Sequence, residues 1–386
     1  MRVVVTGMGA VSGFGRGVDA LWAGVLAGRR ATVIQPQLEA RGLDVGPVAL
    51  VPDLPFDVHL DTRVETMCLW AAHEALGTAG LSAPDPTLAL CFGTTKGGIG
   101  HILGLVADEA KAAPSPPVRA TYAGPAFWVA AQLGMSGPVE VVSVACTSSN
   151  VAIGNALEIL RRGEATRVLA GGADALSDFV ISGFASLKAL DPSPSRPFDR
   201  DRHGLNLGEG AGFIVMERED DALARGAHIH AVVRGYGLAS DAVHMTGPDR
   251  EGRGAARAIV AALHDAGCTP ADIDAISAHG TGTVFNDLME SHALALALGP
   301  RSDRPLHSVK SALGHTLGAA GVLEAIVCVR ALETGTFPPT AGHETPDPAI
   351  HLDVVHGGAR SVAARTILST SSGFGGTNAA LILARP

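Results

Sequence analysis

One cysteine and two histidines of this chain occupy turns between predicted elements. Cys146 follows a valine-rich segment, residues 139–144, that is typical of a buried strand. The segment after it has apolar residues at helical spacing and ends at Gly163, which predicts a helix. Free N–H groups at the start of that helix favour a thiolate, the form of cysteine that attacks a carbonyl carbon. A buried structural thiol is the alternative reading of Cys146.

The two histidines make the reactive interpretation stronger. His279 follows the strand-like IDAISA and opens the glycine-rich HGTGT, and His315 lies in KSALGHTLGAAG between a strand-like segment and a helix. Each histidine alone is more typical of a core or surface residue. A thiol and two imidazoles in similar turns at strand ends together indicate acyl-transfer chemistry.

Composition restricts the classes of protein to which the chain can belong. Its 386 residues are 47% hydrophobic, enough for one or two intimately packed domains. The net charge of −9 argues against a general nucleic-acid or membrane-surface binder. The five scattered cysteines have no CxxC spacing, so we expect neither a metal site nor a disulfide framework. No secretory signal or membrane span is recognised, and a cytoplasmic location is expected.

Predicted strands and helices alternate along the chain, which favours an α/β fold. The glycines of the first turn, Gly7, Gly9 and Gly13, do not match the dinucleotide-binding spacing. A coarse repeat is visible, with one strand–turn–helix carrying Cys146 and another carrying His279. We therefore predict two similar halves, residues 1–222 with the nucleophile and residues 223–386 with the histidines, and an active site between them.

Four motifs carry a resemblance to a known family. VACTSS, AHGTGTVFND, KSALGHTLGAAGVLE and GFGGTN occur in this order, and the similarity extends over essentially the whole chain. They resemble the β-ketoacyl-acyl carrier protein synthases, and the Cys-His-His set resembles the elongating KAS I/II branch. The resemblance implies a thiolase-like fold, with duplicated halves in a five-layered αβαβα arrangement that usually forms dimers.

The resemblance also implies a role for each motif residue. Cys146 would accept an acyl chain, and His279 and His315 would stabilise the enolate left when malonyl-carrier protein loses CO₂. The N–H groups of Cys146 and Phe374 would form an oxyanion hole. Supporting roles are implied for Lys310 and Glu324 beside the histidines, for Asp287 and Glu290 as further polar support, and for Thr246, Thr281, Thr283, Gly373, Gly375, Lys96 and Ser372 around the substrate.

Departures from the family pattern affect the pocket and the docking surface. Ser372 stands where the family usually has Phe, and Lys96 stands where it often has an apolar residue, so we expect a more polar acyl pocket. A basic insertion before residue 63 is missing. The basic residues left as candidates for contacting an acidic carrier helix are Arg63, Arg196, Arg200 and Arg202.

The predicted reaction is a decarboxylative Claisen condensation that gives a 3-ketoacyl product. The expected partners are acyl carrier protein and a second subunit, in a homodimer or a heterodimer, and no cofactor is expected beyond the carrier's phosphopantetheine. Fatty-acid elongation and a specialised polyketide or aryl-polyene pathway both fit. The alternatives are a non-catalytic subunit like a chain-length factor and, less favoured, a Cys-His hydrolase.

Overall fold

The computed structural model describes residues 1–39, 42, 45–52, 54, 63–107, 117–300 and 302–386. Its strands are β1 Val3–Ser12, β2 Gly15–Arg16, β3 Ala89–Gly93, β4 Val139–Val142, β5 Arg167–Asp174, β6 Gly210–Arg218, β7 Ala231–Ser240, β8 Ala275–Ser277, β9 Ser302–His307, β10 Thr336–Phe337, β11 Leu352–Val354, β12 Arg360–Ser361, β13 Thr366–Gly373 and β14 Thr377–Ala384. Its helices are α1 Val18–Leu26, α2 Pro36–Glu39, α3 Arg63–Thr78, α4 Ile99–Ala107, α5 Gly124–Gln132, α6 Ser148–Arg162, α7 Asp178–Ser186, α8 Glu219–Ala224, α9 Arg253–Ala266, α10 Val284–Leu298, α11 Lys310–Leu313 and α12 Ala320–Thr334. Short 3-10 helices lie at Pro117–Ala120, Pro270–Asp272 and Leu317–Ala319.

Two sets of five strands have the same spatial order. The first runs β4-β3-β5-β6-β1 and the second runs β9-β8-β13-β14-β7. In each set the first three strands are parallel and the last two pair antiparallel. The sets meet where Val3–Val5 of β1 pair with residues 231–233 of β7. This repetition supports two similar halves, while the exact boundary at 222/223 remains our proposal.

Helices cover both faces of the strand sets, in five layers. On the outer face of the first set, α3 and α5 contribute Met67, Ala71 and Val129 to one apolar cluster. On the outer face of the second set, α9 and α10 contribute Ile259 and Leu294 to another. Between the two sets lie α6 and α12, whose apolar side chains form one continuous core with the inner faces of the strands. The arrangement is the αβαβα architecture that we predicted.

The central helices follow directly from the sequence. Helix α6 buries its apolar positions along most of its length and ends at Gly163, whose φ of +72° is the left-handed conformation that glycine adopts readily. Helix α12 is buried nearly all round, in keeping with its apolar sequence and its place in the middle layer. Among the described residues, no helix has the length and apolar character needed to cross a bilayer.

Candidate active site

The turn that carries Cys146 is fixed by the hydroxyl groups that follow it. The Ser148 hydroxyl donates to the Ala145 carbonyl at 2.6 Å, and the Thr147 hydroxyl donates to the Val144 carbonyl at 2.7 Å. Ala145 has φ of +52°, an unusual value for a residue with a side chain, so the chain turns sharply just before the cysteine. Cys146 therefore lies between β4 and α6, as the sequence predicted.

The two histidines that the sequence singled out lie beside this thiol. Nε2 of His315 is 2.9 Å from Sγ of Cys146. The imidazole rings of His279 and His315 are 5.5 Å apart between centroids and nearly perpendicular. All three side chains are buried. Groups from the two halves of the chain thus converge on one place.

The counterpart of Cys146 in the repeated fold is His315, not His279. Cys146 follows β4, the first strand of its set in the spatial order, and precedes α6. His315 follows β9, the first strand of the other set, and precedes α12. His279 instead follows the second strand, β8. The sequence pairing of Cys146 with His279 was wrong because strand order in space cannot be read from a coarse linear repeat.

Burial dominates the protonation of the three groups. It raises the pKa of the Cys146 thiol to about 12, although the Lys310 charge and the Phe374 N–H act in the opposite direction. The sequence expectation of a thiolate favoured by the helix start is therefore opposed by desolvation. Burial also lowers the pKa of His279 and His315 well below 6.5, and the Lys310 charge lowers both further. Both imidazoles are neutral at physiological pH and Cys146 rests as a thiol.

Lys310 and Glu324 form a buried ion pair behind the histidines. The other Glu324 oxygen accepts from the Ser371 hydroxyl at 3.4 Å, and Ser371 in turn accepts from the Asn150 amide at 2.8 Å. This chain of contacts joins α12, β13 and α6. The Lys310 charge adds to the effect of burial, which is the larger cause of the lowered pKa of both imidazoles.

Two carboxylates on α10 hold the loop of His279. Glu290 accepts from the backbone N–H of His279 at 2.7 Å and of Gly280 at 2.8 Å. Asp287 accepts from the N–H of Thr281 and of Gly282 at 3.1 Å each. Four successive N–H groups thus bind two carboxylates three residues apart on one helix. These contacts fit the supporting role that the resemblance implied for Asp287 and Glu290.

The loop between β13 and β14 approaches the thiol from the other side. A side chain at Gly373 would come within 3.2 Å of the Cys146 backbone nitrogen, so a glycine there allows the close approach. The backbone N–H of Phe374 is directed at the Cys146 thiol. The Phe374 ring stacks on Phe184 of α7 at 5.7 Å between centroids. The Gly375 N–H donates to the Met245 carbonyl at 2.7 Å, which anchors the loop.

A cavity of about 400 Å³ opens onto the thiol. The sequence-predicted residues that line it are Cys146, His315, Thr246, Thr281, Thr283, Ser372, Gly373 and Phe374. The Ser372 hydroxyl donates to Asn378 at 2.7 Å, which holds one polar group at the cavity wall. Lys96 does not line this cavity, and its ammonium group donates to the carbonyl of Ala175.

Two of the arginines considered for carrier docking are buried. Arg63 is 3% exposed and pairs with Glu209, and Arg202 is 5% exposed and donates to Asp347 at 2.6 Å. Both side chains are paired in the interior, so the expectation that they contact a carrier was wrong. Arg200 is exposed, next to Asp201, and Arg196 is half-buried. These two remain candidates.

Sequence reasoning missed two residues that shape the site. Buried Asp174 accepts from the hydroxyl groups of Thr94 and Thr95 and, at 2.7 Å, from the N–H of Gly318 beyond His315. Its position at the end of the buried strand β5 was the available signal, since a carboxylate there requires donors. Phe184 of α7 had no local signal, because its contact with Phe374 depends on the tertiary fold.

Family comparisons match most of the chain. The family described as "Beta-ketoacyl synthase, N-terminal domain" matches residues 57–222, and "Beta-ketoacyl synthase, C-terminal domain" matches residues 230–344. Nodulation protein E of Rhizobium meliloti is 39% identical, with 98% of each chain covered. The tetracenomycin polyketide synthase ketoacyl synthase alpha subunit of Streptomyces glaucescens is 39% identical, covering 100% of this chain and 97% of that protein. The 3-oxoacyl-[acyl-carrier-protein] synthase 2 of Rhizobium meliloti is 37% identical, covering 100% and 99%.

Solved structures agree with these relatives over the full length. The ishigamide ketosynthase/chain length factor superposes with a TM-score of 0.91 at 38% identity, covering 100% of this chain and 99% of that one. A type II polyketide ketosynthase in complex with its acyl-carrier protein, AntDE:AntF, superposes with a TM-score of 0.93 at 30% identity and the same coverage. The thiolase-like fold predicted from the sequence is confirmed.

Proposed function

Because this chain belongs to the β-ketoacyl synthase family, we propose that it joins an acyl group held on Cys146 to a malonyl unit carried by acyl carrier protein. The reaction is a decarboxylative condensation, and the enzyme is a 3-oxoacyl-[acyl-carrier-protein] synthase. The observation that carries the proposal is the contact between Sγ of Cys146 and Nε2 of His315 at the wall of the cavity. The ring of His279 does not line that cavity but packs against the ring of His315. Acyl carrier protein presents both substrates as thioesters of its phosphopantetheine arm.

The first half-reaction transfers the acyl group to the thiol. Cys146 attacks the thioester carbonyl, and its proton passes through Nε2 of His315, 2.9 Å away, to the departing carrier thiolate. Negative charge develops on the carbonyl oxygen during the attack. The N–H groups of Cys146 and Phe374 can donate to that oxygen, and the close approach at Gly373 brings them together.

The second half-reaction uses both imidazoles as neutral donors. The malonyl thioester loses CO₂, and the resulting enolate oxygen accepts hydrogen bonds from His279 and His315. For this step the ring proton of His315 lies on Nε2, whereas in acylation Nε2 is the bare nitrogen, so His315 changes tautomer between the two half-reactions. The enolate carbon then attacks the acyl-Cys146 thioester, and the Cys146 thiolate departs as the 3-ketoacyl product forms. The thiolate takes up one proton from solvent, which restores the resting thiol. Burial and the Lys310 charge favour neutral imidazoles, which suits this step. The hydroxyl groups of Thr281 and Thr283, 2.9 Å apart at the cavity wall, are suited to bind the pantetheine amides.

A dimer with a second ketosynthase-like subunit is the assembly we infer. The relatives described as a ketosynthase/chain length factor and as a ketosynthase in complex with its chain length factor pair a condensing subunit with a partner subunit. In this chain the intact Cys146, His279 and His315 support the condensing role over that of a non-catalytic partner subunit.

Intact-protein mass spectrometry tests the function directly. Incubation with a panel of acyl-carrier thioesters is expected to add one acyl mass to the wild-type chain and none to Cys146→Ala. Addition of malonyl-carrier protein should then remove the acyl mass and yield 3-ketoacyl-carrier protein. Acylation that persists in Cys146→Ala, or turnover by that variant, would contradict the proposal.

A further inference from the structure

Two histidines and a glutamate meet at the joint between the two halves, far from the catalytic cavity. His228 and His230 immediately precede β7, and the His230 N–H donates to the Val5 carbonyl of β1 at 2.9 Å. Glu333 lies in the last turn of α12, the helix whose other end follows His315. The length of that helix separates Glu333 from the catalytic site by about 20 Å at 1.5 Å per residue. The proposed condensation uses none of the three side chains.

Their geometry brings three metal-binding atoms together. One ligand atom from each of His228, His230 and Glu333 lies within 4.8 Å of the other two. Nδ1 of His230 is 2.6 Å from a Glu333 oxygen, and the two imidazole rings are 4.6 Å apart and nearly perpendicular. Around a tetrahedral Zn²⁺ with bonds near 2.0–2.1 Å, neighbouring ligand atoms lie about 3.3 Å apart. Small side-chain rotations therefore suffice to close the three groups around an ion.

A neighbouring side chain holds the Glu333 carboxylate in place. Arg330, one turn earlier on α12, donates to the second Glu333 oxygen at 2.9 Å, which leaves the first oxygen directed at His230. Such an outer contact orients a metal-binding carboxylate. The partly exposed side chains of His230 and Glu333, 16% and 22%, leave room for water to complete the coordination. The hydrogen bond between His230 and Glu333 explains why those two side chains lie together. It does not explain why the imidazole of His228 lies beside them.

We propose that His228, His230 and Glu333 bind one divalent transition-metal ion of the Zn²⁺ class. Two imidazoles and one carboxylate are a donor set that Zn²⁺ uses in proteins. The bound ion ties the start of the second half to the end of the central helix α12, and through the His230 backbone to β1. Its effect is on the stability of the joint and not on the condensation.

Calorimetric titration of the full, tag-free chain with ZnCl₂ tests the site. We expect saturable binding of one ion and a thermal midpoint that rises with Zn²⁺ concentration. The same binding should survive in Cys146→Ala, which removes the catalytic thiol as a competing ligand. His228→Ala and His230→Ala should each abolish it, and Arg330→Gln should weaken it by about tenfold. Co²⁺ in place of Zn²⁺ should give visible absorption that Glu333→Gln removes.

His264→Ala is the matched control, since His264 is an exposed histidine on α9 outside the cluster. It should bind Zn²⁺ as the wild type does. Unchanged condensation activity and thermal midpoint in metal-free buffer show that each cluster variant is folded. The proposal is overturned if the wild type shows no saturable binding, if binding persists in the His228→Ala/His230→Ala double variant, or if Cys146→Ala removes it.

Discussion

Sγ of Cys146 and Nε2 of His315 lie 2.9 Å apart although 169 positions separate the two residues in the chain. The contact joins the two halves at the turns that follow β4 and β9, the strands at equivalent positions of the two sets. His279 also belongs to the site, but it meets the ring of His315 rather than the thiol. The two histidines therefore occupy different positions relative to the nucleophile, and their substitution should have different effects.

Replacement of each histidine should separate the two half-reactions. His279→Ala should lower malonyl decarboxylation by about 10²–10³-fold, the effect of removing one oxyanion donor, while leaving acylation of Cys146 near the wild-type rate. His315→Ala should lower decarboxylation similarly and also slow acylation by about tenfold or more, because the thiol loses its proton acceptor. Rapid-quench acylation and CO₂ release measure the two steps. Equal acylation rates in both variants would contradict this division.

The pH dependence of thiol alkylation should reveal the buried state of Cys146. With a pKa raised to about 12, the thiol is protonated at neutral pH. The rate with iodoacetamide should therefore rise about tenfold per pH unit from pH 7 to pH 10 without levelling off. Glutathione, measured in parallel, should level off above its own pKa. An alkylation rate that levels off below pH 8 would contradict the prediction. It would mean that the helix N-terminus lowers the pKa of the Cys146 thiol more than burial raises it.

Malonyl decarboxylation should be insensitive to mild acid. The pKa of His279 and His315 lies well below 6.5, so their neutral form, which is lost only as pH falls through that lowered pKa, persists at pH 6. The kcat for decarboxylation should stay level from pH 8 to pH 6 when measured with the isolated half-reaction. The carrier protein's own fold is checked at each pH by circular dichroism. A titration near pH 6.5 would show that one imidazole is exposed to ordinary solvation.

The buried pair of Lys310 and Glu324 should affect both the stability of the fold and the pH profile of decarboxylation. Lys310→Met leaves the Glu324 carboxylate without its cation and should lower the free energy of unfolding by about 3–5 kcal/mol. The double variant Lys310→Met/Glu324→Leu should recover most of that stability, because no charge remains unpaired. It should not recover the wild-type pH profile of decarboxylation, since the Lys310 charge no longer lowers the pKa of the histidines. Denaturant titration and pH profiles of both variants measure the two effects, and Arg162→Met, at an exposed ion pair, serves as the control.

Local patterns predicted the elements and the reacting groups well. The valine-rich strand, the hydroxyl-rich turn and the helix ending at Gly163 were all readable, because each depends on neighbours in the sequence. Cys146, His279 and His315 were likewise identified as reacting groups from the short motifs in which they occur. We could predict that these three side chains meet because each of them follows the end of a predicted strand.

Interactions between distant parts of the chain could not be predicted from local sequence. Arg63 looked like a surface charge, yet its partner Glu209 lies 146 positions away, and no local pattern connects them. The state of the Cys146 thiol depended on how completely the fold excludes water, which outweighed the predicted helix effect. The ammonium group of Lys96 donates to the carbonyl of Ala175. This contact could not be predicted either, because Ala175 follows a different strand and is distant in the sequence.

The repeated strand order places two equivalent turns face to face, one bearing sulfur and the other bearing imidazole. A symmetric pair of identical turns could supply two copies of one group but not a nucleophile and its proton partner. The two turns of this chain differ in their reacting group while both keep the same strand order. The nucleophile and its proton partner therefore stand on separate copies of one scaffold, so a change in either turn leaves the turn that carries the other group in place.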